Sequence, residues 1–241
     1  MTTPRNEGCI QLVGTPIGNL GDITFRAVQC LKAADVIACE DTRHSRKLLS
    51  HLDIADKELV ALHDHNEDRR SSALIERAQS GETVVFLSDA GMPTISDPGY
   101  RLVNASVEAG VRIEVIPGPC AVVTGLAGSG LPTDAFYFGG FLPVKSGKKT
   151  REIEDALSRK ESSVFFESPH RIVKTLGLIK ELDPERKVCV ARELTKKFET
   201  FHRGIPQELL EEFGDRQVKG EITLIIQGRG RKSARPSKEQ K

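Results

Sequence analysis

The sequence predicts an α/β protein of two domains, with a mainly parallel sheet in the N-terminal domain and a mixed sheet in the C-terminal domain. Buried-strand patterns alternate with helical patterns through the first half of the chain, as in βαβ units with right-handed crossovers. Strand patterns outnumber helical ones in the second half, which favours antiparallel neighbours. The predicted boundaries are 1–117 for the N-terminal domain, 118–228 for the C-terminal domain and 229–241 for a basic tail.

The first half contains five predicted strands, and each runs into a charged or glycine-rich loop. They cover 9–13, 35–39, 58–62, 83–87 and 111–116. Asp22 is the predicted N-cap of the first helix, whose apolar positions are Ile23, Ala27, Val28 and Leu31. Later helices are predicted through 48–49, to about 79 and over 100–109. Because parallel strands point the same way, the loops that follow them should share one edge of the sheet.

The second half opens with small residues and prolines over 117–132, which mark a change of organisation. Ser168 and Pro169 are predicted to start a helix. Strands are predicted within 136–143, at 163–167, within 188–194, around 201–202 and within 220–227. The buried stripe of the helix after 168 is predicted to be Ile172, Val173, Leu176 and Ile179.

The stretch SDAGMPTISDPG, 88–99, follows a strand that is buried on both faces. Ala90 and Gly91 let another molecule approach the backbone, and the two prolines of the stretch stiffen it. Ligands of open α/β sheets bind beyond the carboxyl ends of the strands. Asp89 is therefore predicted to reach hydroxyls or an amine rather than a phosphate. The alternative is an ordinary turn that happens to carry an aspartate.

Several classes of protein are disfavoured by the composition and spacing. No apolar run approaches the roughly 20 residues of a membrane span, and the start lacks the apolar segment of a signal peptide, so a cytoplasmic protein is predicted. The glycines of 14–21 follow GxxxGxxG rather than GxGxxG, which disfavours a nicotinamide cofactor. His63 and His65 lack a third ligand, so no metal is predicted. Five dispersed cysteines predict reduced thiols; Cys120 is a candidate nucleophile without a partner base.

The charge is uneven along the chain. Six basic residues and one glutamate give 228–241 a charge of +5, which leaves −4 on the rest of a chain whose net charge is +1. An acidic body does not attract nucleic acid through its net charge. Any phosphate partner must therefore meet local basic patches or the tail.

Eight ordered blocks carry a resemblance to a known family. They are GTPIGNLGDIT, ACEDTRHSRKLL, ALHDHNE, SDAGMPTISDPGYRLV, PGPCAVVTGLAGSGLP, GGFLP, FFESPHRI and ARELTKKFE, and they span nearly all of 9–227. In this order they resemble the ribosomal RNA small subunit methyltransferase I family, within the tetrapyrrole methylase group. The resemblance implies an S-adenosylmethionine-dependent enzyme that methylates the ribose 2′-hydroxyl of a cytidine in 16S ribosomal RNA near the decoding centre. It also implies a tetrapyrrole-methylase-like fold with the donor in a cleft between two domains, a homodimer, and the small ribosomal subunit as partner.

The resemblance also implies which residues bind the methyl donor. Asp89, Ala90, Gly91 and Met92 would form one wall, Cys120 and Ala121 the adenosine side, Phe166 and Glu167 the wall from the second domain, and Pro16 and Ile17 the floor.

The acceptor side is predicted from charged side chains on the strand-end loops, where Glu40, Asp41, Arg43, His63 and Asp64 lie. A ribose hydroxyl is a weak nucleophile and needs a group that takes or orients its proton. Asp41 is predicted for this role, with Arg43 on a neighbouring phosphate. The alternative is that Asp41 only pairs with Arg43 and caps the next helix. Other predicted phosphate contacts are Arg46, Lys47, Lys145, Lys148, Lys149 and the tail.

Two other functions stay open at this point. One is a sister enzyme of the same fold that methylates a tetrapyrrole carbon or a modified protein side chain; the charged loops ACEDTRH and ALHDHNE argue against an apolar macrocycle pocket. The other is a ribosome-binding protein without catalysis.

Overall fold

The structure, a computed structural model, describes residues 8–63, 66–214 and 217–230. The chain divides into two compact units, Met1–Cys120 and Ala121–Lys241. Asp64, His65 and the part of the basic tail beyond Gly230 lie outside the described residues. Within the described ranges, no helix combines the length and the apolar character that crossing a membrane requires.

The first unit is built on a parallel five-stranded sheet in the order β3-β2-β4-β1-β5. Runs of β-branched and apolar residues form the inner strands, and β2 is buried along its whole length because helices cover both faces. The parallel order confirms the predicted fold of the first half. The elements are β1 Cys9–Val13, α1 Phe25–Ala33, β2 Val36–Cys39, α2 Thr42–His51, β3 Glu58–Ala61, α3 Glu67–Gln79, β4 Thr83–Leu87, α4 Tyr100–Glu108 and β5 Arg112–Ile116.

The second unit has a mixed sheet in the order β6-β7-β10-β8-β9. Strands β6 and β7 are parallel, and the other neighbours are antiparallel, which confirms the predicted mixed sheet. Apolar side chains of α6, α7 and α8 pack with those of the strands into one core. The elements are α5 Ala121–Gly128, β6 Phe136–Phe141, α6 Ser146–Ser158, β7 Ser162–Glu167, α7 Ile172–Leu182, β8 Val188–Arg192, β9 Thr200–Gly204, α8 Pro206–Phe213 and β10 Ile222–Ile226.

The predicted start of α1 was wrong. Asp22 belongs to a short 3-10 helix, Leu20–Asp22, and Thr24 is the N-cap, because its hydroxyl accepts the N–H of Ala27 at 3.1 Å. Thr24 stands three residues before the N–H that it binds, which is the geometry of an N-cap.

The predicted start and stripe of α7 also differ from the structure. The helix begins at Ile172 rather than at Ser168, whose carbonyl instead accepts the N–H groups of Arg171 and Ile172. Val173 is 37% exposed, and Thr175 takes the buried position. A threonine is tolerated there because its hydroxyl has hydrogen-bond partners inside the unit.

All five cysteines are free, as predicted. Burial raises the pKa of Cys39, and it raises the pKa of Cys189 to about 11. These two thiols are therefore protonated and unreactive near neutral pH.

Candidate functional site

The loops that follow the parallel strands of the first unit lie at one edge of its sheet, as predicted. We call this the strand-end edge. It is formed by the segments 14–19 after β1, 40–41 after β2, 88–99 after β4 and 117–120 after β5. Because β4 is the middle strand, the loop 88–99, here called the donor loop, starts at the centre of this edge.

Two backbone hydrogen bonds tie the donor loop to the loop after β1. Thr15 N–H donates to Gly91 O at 2.9 Å, and Gly91 N–H donates to Thr15 O at 3.1 Å. Gly91 has φ +83°, and a Cβ there would lie 3.3 Å from the Ile17 side chain. The pairing fixes Asp89–Met92 against Pro16 and Ile17, so these predicted donor-binding residues of two distant segments come together.

The loop after β5 reaches the same place through a close glycine contact. A Cβ on Gly14 would lie 2.7 Å from Gly118 Cα, so neither glycine accepts a side chain without movement of the backbone. The carbonyl of Pro119 lies beside Gly91, 3.6 Å from where its Cβ would be. Cys120, the next residue, therefore adjoins the donor loop.

The ionisable side chains of the donor loop are two carboxylates, Asp89 and Asp97. Asp89 is half-buried, and its Oδ1 accepts the N–H of Asp41 at 3.2 Å, which links the loops after β4 and β2. Burial raises the pKa of Asp97, a hydrogen bond from Ser88 opposes this, and the charge of nearby Asp89 adds to it. An anionic surface of this kind favours a cationic ligand over a phosphate.

The donor loop holds strained backbone conformations. Thr94 has φ +73° and Ser96 has φ +64°, values that residues with a side chain rarely adopt. Such residues each cost on the order of 1 to 3 kcal/mol and cluster at ligand-binding sites, where they fix a loop in its binding conformation.

Sequence reasoning missed the residue that anchors the far end of the donor loop. Glu67 is only 4% exposed, and its Oε1 accepts the N–H groups of Gly99, Arg101 and Leu102 at 3.0, 2.8 and 3.3 Å. The carboxylate thus caps the N-terminus of α4, where a negative charge also meets the positive end of the helix dipole. The block ALHDHNE contains Glu67, but nothing in its spacing points to a partner more than 30 residues away.

Asp41 pairs with Arg43 and caps the next helix, which is the predicted alternative to a role in proton transfer. Asp41 caps α2, because its Oδ1 accepts the N–H of Arg43 at 2.8 Å, and its Oδ2 lies 2.9 Å from the Arg43 guanidinium. The hydrogen bonds from the Arg43 side chain and N–H lower the pKa of Asp41 to about 2. The carboxylate is therefore ionised at neutral pH and is a weak base.

In the second unit, Ala121 begins α5 and Phe166 lies near the end of β7. The Phe166 ring packs against the rings of Phe138 and Phe141, each at a centroid distance of 5.2 Å. The three rings lie on the paired strands β6 and β7, so Phe166 belongs to an aromatic cluster at the end of β7.

Glu167 is fully buried in a network of ion pairs that sequence reasoning did not foresee. Its Oε2 lies 2.8 Å from Lys149 Nζ and accepts the hydroxyl of Thr175 at 2.7 Å, and its Oε1 lies 2.6 Å from the Arg171 guanidinium. The same Oε1 accepts the N–H of Ser168 at 2.7 Å. Glu167 therefore holds the turn after β7 in place.

The prediction that Lys149 contacts RNA was wrong, because Lys149 belongs to this buried network. Its side chain is about nine-tenths buried, and its ammonium is bound to Glu167 and Thr175. The other predicted phosphate contacts within the described ranges are exposed, namely Arg43, Arg46, Lys47, Lys145, Lys148 and, from the tail, Arg229. In those ranges no three His, Cys, Asp or Glu side chains are placed to hold a metal ion.

The family model for tetrapyrrole (corrin/porphyrin) methylases matches residues 10–210. A solved uroporphyrin-III C-methyl transferase from Thermus thermophilus, in complex with S-adenyl homocysteine, superposes with a TM-score of 0.61 at 22% identity, covering 91% of this chain and 97% of that one. The fold and this match define a member of the tetrapyrrole methylase class.

Relatives with higher sequence identity show which family within this class the chain belongs to. The ribosomal RNA small subunit methyltransferase I of Vibrio cholerae is 47% identical, covering 94% of this chain and 80% of the relative. The protein of the same name from Halalkalibacterium halodurans is 46% identical, covering 94% of this chain and 78% of the relative. The chain belongs to the ribosomal RNA small subunit methyltransferase I family.

Proposed function

We propose that this protein transfers a methyl group from S-adenosylmethionine to the ribose 2′-hydroxyl of a cytidine in 16S ribosomal RNA near the decoding centre. The observation that carries the proposal is that the donor loop is held at both ends. Gly91 pairs with Thr15 at one end and Glu67 binds the other, in a chain that belongs to this family. A loop held at both ends presents Asp89 in one position, which methyl transfer by alignment requires.

The chemistry of the strand-end edge fits the proposed donor. S-adenosylmethionine carries positive charge and no phosphate, and when bound it supplies a methyl group already activated on sulfur. Asp89 would accept a hydrogen bond from its hydroxyls or its ammonium group, while Gly91 lets it approach the backbone. Pro16, Ile17, Ala90, Met92 and Cys120 would complete the donor contacts of the first unit. In the second unit, Ala121 and Phe166 stay predicted donor contacts from the family resemblance, and Glu167 would hold the backbone beside Phe166.

On the acceptor side, Asp41 and Arg43 would orient the substrate rather than remove its proton. The guanidinium is 88% exposed while its other side binds Asp41, so it can still meet a phosphate. Asp41 is predicted from the sequence either to take the proton or to orient it. Its low pKa favours the orienting role.

The small ribosomal subunit is the proposed partner, since the relatives are named for its RNA. This substrate makes the cytoplasm the proposed location. A homodimer is proposed from the family resemblance alone; light scattering of the purified protein would measure its mass.

Ribose methylation mapping by mass spectrometry tests the proposed function. Small subunits from a strain without this protein should lack one 2′-O-methylcytidine, and the purified protein with S-adenosylmethionine should restore it. Unmodified subunits that stay unmethylated under donor excess, or a methyl group on a base, would contradict the proposal.

A further inference from the structure

A small cavity lies at the strand-end edge, beside the donor loop, and two of the proposed donor-binding residues, Pro16 and Asp89, line part of it. Its volume is about 160 Å³. One water needs about 10 to 15 Å³ of such space, so the cavity holds several waters and is large enough for a sugar ring. The lining residues are Thr15, Pro16, Leu20, His44, Lys47, Leu48 and Asp89.

Two basic side chains of α2 face this cavity. His44 and Lys47 are three residues apart and therefore share one face of the helix. Both residues are exposed, and neither side chain makes a hydrogen bond or ion pair with any residue in the described ranges. The ammonium group of Lys47 and the imidazole nitrogens of His44 are therefore available to a ligand.

The charge of this wall distinguishes between two ligands. S-adenosylmethionine is cationic at sulfur and at its ammonium group and anionic only at its carboxylate, so its net positive charge is attracted by Asp89 and repelled by Lys47. A ribose joined to a phosphate is anionic and carries hydroxyls, so Lys47 attracts it and an imidazole nitrogen can accept a hydroxyl proton in a hydrogen bond. The apolar walls formed by Pro16, Leu20 and Leu48 suit the carbon face of a sugar.

We propose that this cavity is the subsite for the acceptor nucleotide: His44 accepts a hydrogen bond from the ribose 2′-hydroxyl, and Lys47 pairs with the adjacent phosphate. Asp89 is common to the cavity wall and to the donor loop, so a ribose held here stands next to the donor-binding residues. The inference rests on the proposed function and adds the residues that recognise the sugar. The 2′-hydroxyl is also the group that distinguishes RNA from DNA.

Binding measurements on paired substrates test the proposal. Small subunits are reconstituted with either cytidine or 2′-deoxycytidine at the position found by methylation mapping, and affinity is measured in the presence of S-adenosylhomocysteine. The unmodified protein should prefer the ribose form by roughly three- to tenfold, the effect of one hydrogen bond. His44→Ala should bind both forms equally.

Lys47→Ala should keep the preference for ribose but weaken binding to both forms, and its salt dependence should be flatter by about one phosphate contact. His51→Ala, on the same helix, and Lys32→Ala, at the end of α1, are matched controls that should behave like the unmodified protein.

Three results would overturn the inference. They are a His44→Ala protein that still prefers the ribose form, an unmodified protein without that preference, and variants that lose affinity for S-adenosylmethionine in calorimetry while RNA affinity is unchanged. Failure of the proposed function is a separate result, because it shows as absent ribose methylation by the unmodified protein.

Discussion

Asp89 is the residue on which the proposed donor site should depend most, because it is the half-buried carboxylate that follows the central strand. Asp89→Asn keeps an oxygen that can accept the N–H of Asp41 but removes the charge. A charge-assisted hydrogen bond contributes roughly 1.5 to 3 kcal/mol, so the Kd for S-adenosylmethionine should rise by about tenfold or more.

Isothermal titration with S-adenosylmethionine measures this change directly. Asp155→Asn, at an exposed position of α6, removes the same charge from an element without a predicted donor-binding residue and should leave the Kd unchanged. An Asp89→Asn protein with the affinity of the unmodified one would remove Asp89 from the donor site.

Asp41 allows a test that separates orientation from proton transfer. Asn is also a good N-cap, so Asp41→Asn should keep the start of α2 while it loosens Arg43. Because the pKa of Asp41 is about 2, the carboxylate is a weak base, and single-turnover methyl transfer with saturating RNA and donor should fall only a fewfold.

Arg43→Ala should instead raise the Kd for small subunits, and this rise should shrink at high salt. A loss of 10² or more in the single-turnover rate of Asp41→Asn would assign it the role of proton acceptor, since positioned acid–base catalysis typically contributes about 10² to 10⁴.

The donor loop depends on the cap that Glu67 provides to α4. Glu67→Ala leaves three N–H groups without their acceptor, and each buried unsatisfied group is costly. We expect a loss of at least roughly 1 to 3 kcal/mol in the free energy of unfolding, together with weaker donor binding. Urea unfolding and calorimetry measure the two effects.

Glu67→Gln keeps an oxygen acceptor and should lose less stability, while Glu76→Ala, at an exposed position of α3, is the matched control. Equal stability of Glu67→Ala and Glu76→Ala would show that the cap does not hold the donor loop.

Lys148 and Lys149 are neighbours on α6 with opposite expected effects. Lys149→Ala leaves the carboxylate of Glu167 buried with one cation fewer, and breaking a buried ion pair costs roughly 3 to 5 kcal/mol. Lys148→Ala, at an exposed position, should change stability by less than about 0.5 kcal/mol and should weaken RNA binding at low salt.

Thermal unfolding and RNA titrations of both variants check this pair. The assignment of Lys149 to the interior would be wrong if its variant unfolded like the unmodified protein and lost a salt-dependent part of its RNA affinity.

Much of the element pattern could be predicted because burial on both faces produces continuous apolar runs. The strands β1 and β4 match their predicted bounds for this reason. Helix starts were less predictable, because Asp22 and Thr24 are both good caps and only the backbone path decides between them.

The sequence was enough to predict which loops form the candidate site. It was not enough to predict the contacts between these loops. A strand that ends in Asp89 shows where a ligand binds, but the pairing of Thr15 with Gly91 joins residues 76 positions apart. Lys149 is a second residue whose contact could not be predicted from the sequence. The basic residues near it in sequence, Lys145, Lys148 and Arg151, are exposed, and only the fold reveals that the partner of Lys149 is Glu167.

The uneven distribution of charge along the chain makes the basic tail a candidate RNA anchor. The structure shows where a truncation should begin. Arg229 and Gly230 donate backbone N–H groups to the carbonyls of Arg159 and Lys160 at 2.9 and 3.1 Å, so they belong to the second unit. A deletion of 231–241 keeps these bonds and removes five basic residues and one acid.

Deletion of 231–241 should flatten the dependence of RNA affinity on salt without a change in stability or donor affinity. Each phosphate contact on single-stranded RNA contributes about 0.7 to the slope of log K against log salt, so a slope smaller by roughly 1 to 3 is expected. Filter binding of small subunits between low and physiological salt gives the slope. A tail of equal length with the basic residues replaced by serine should behave like the deletion, because charge rather than length carries the effect. Identical slopes for the full-length and truncated proteins would exclude the tail and leave the exposed cations of α2 and α6 as the RNA contacts.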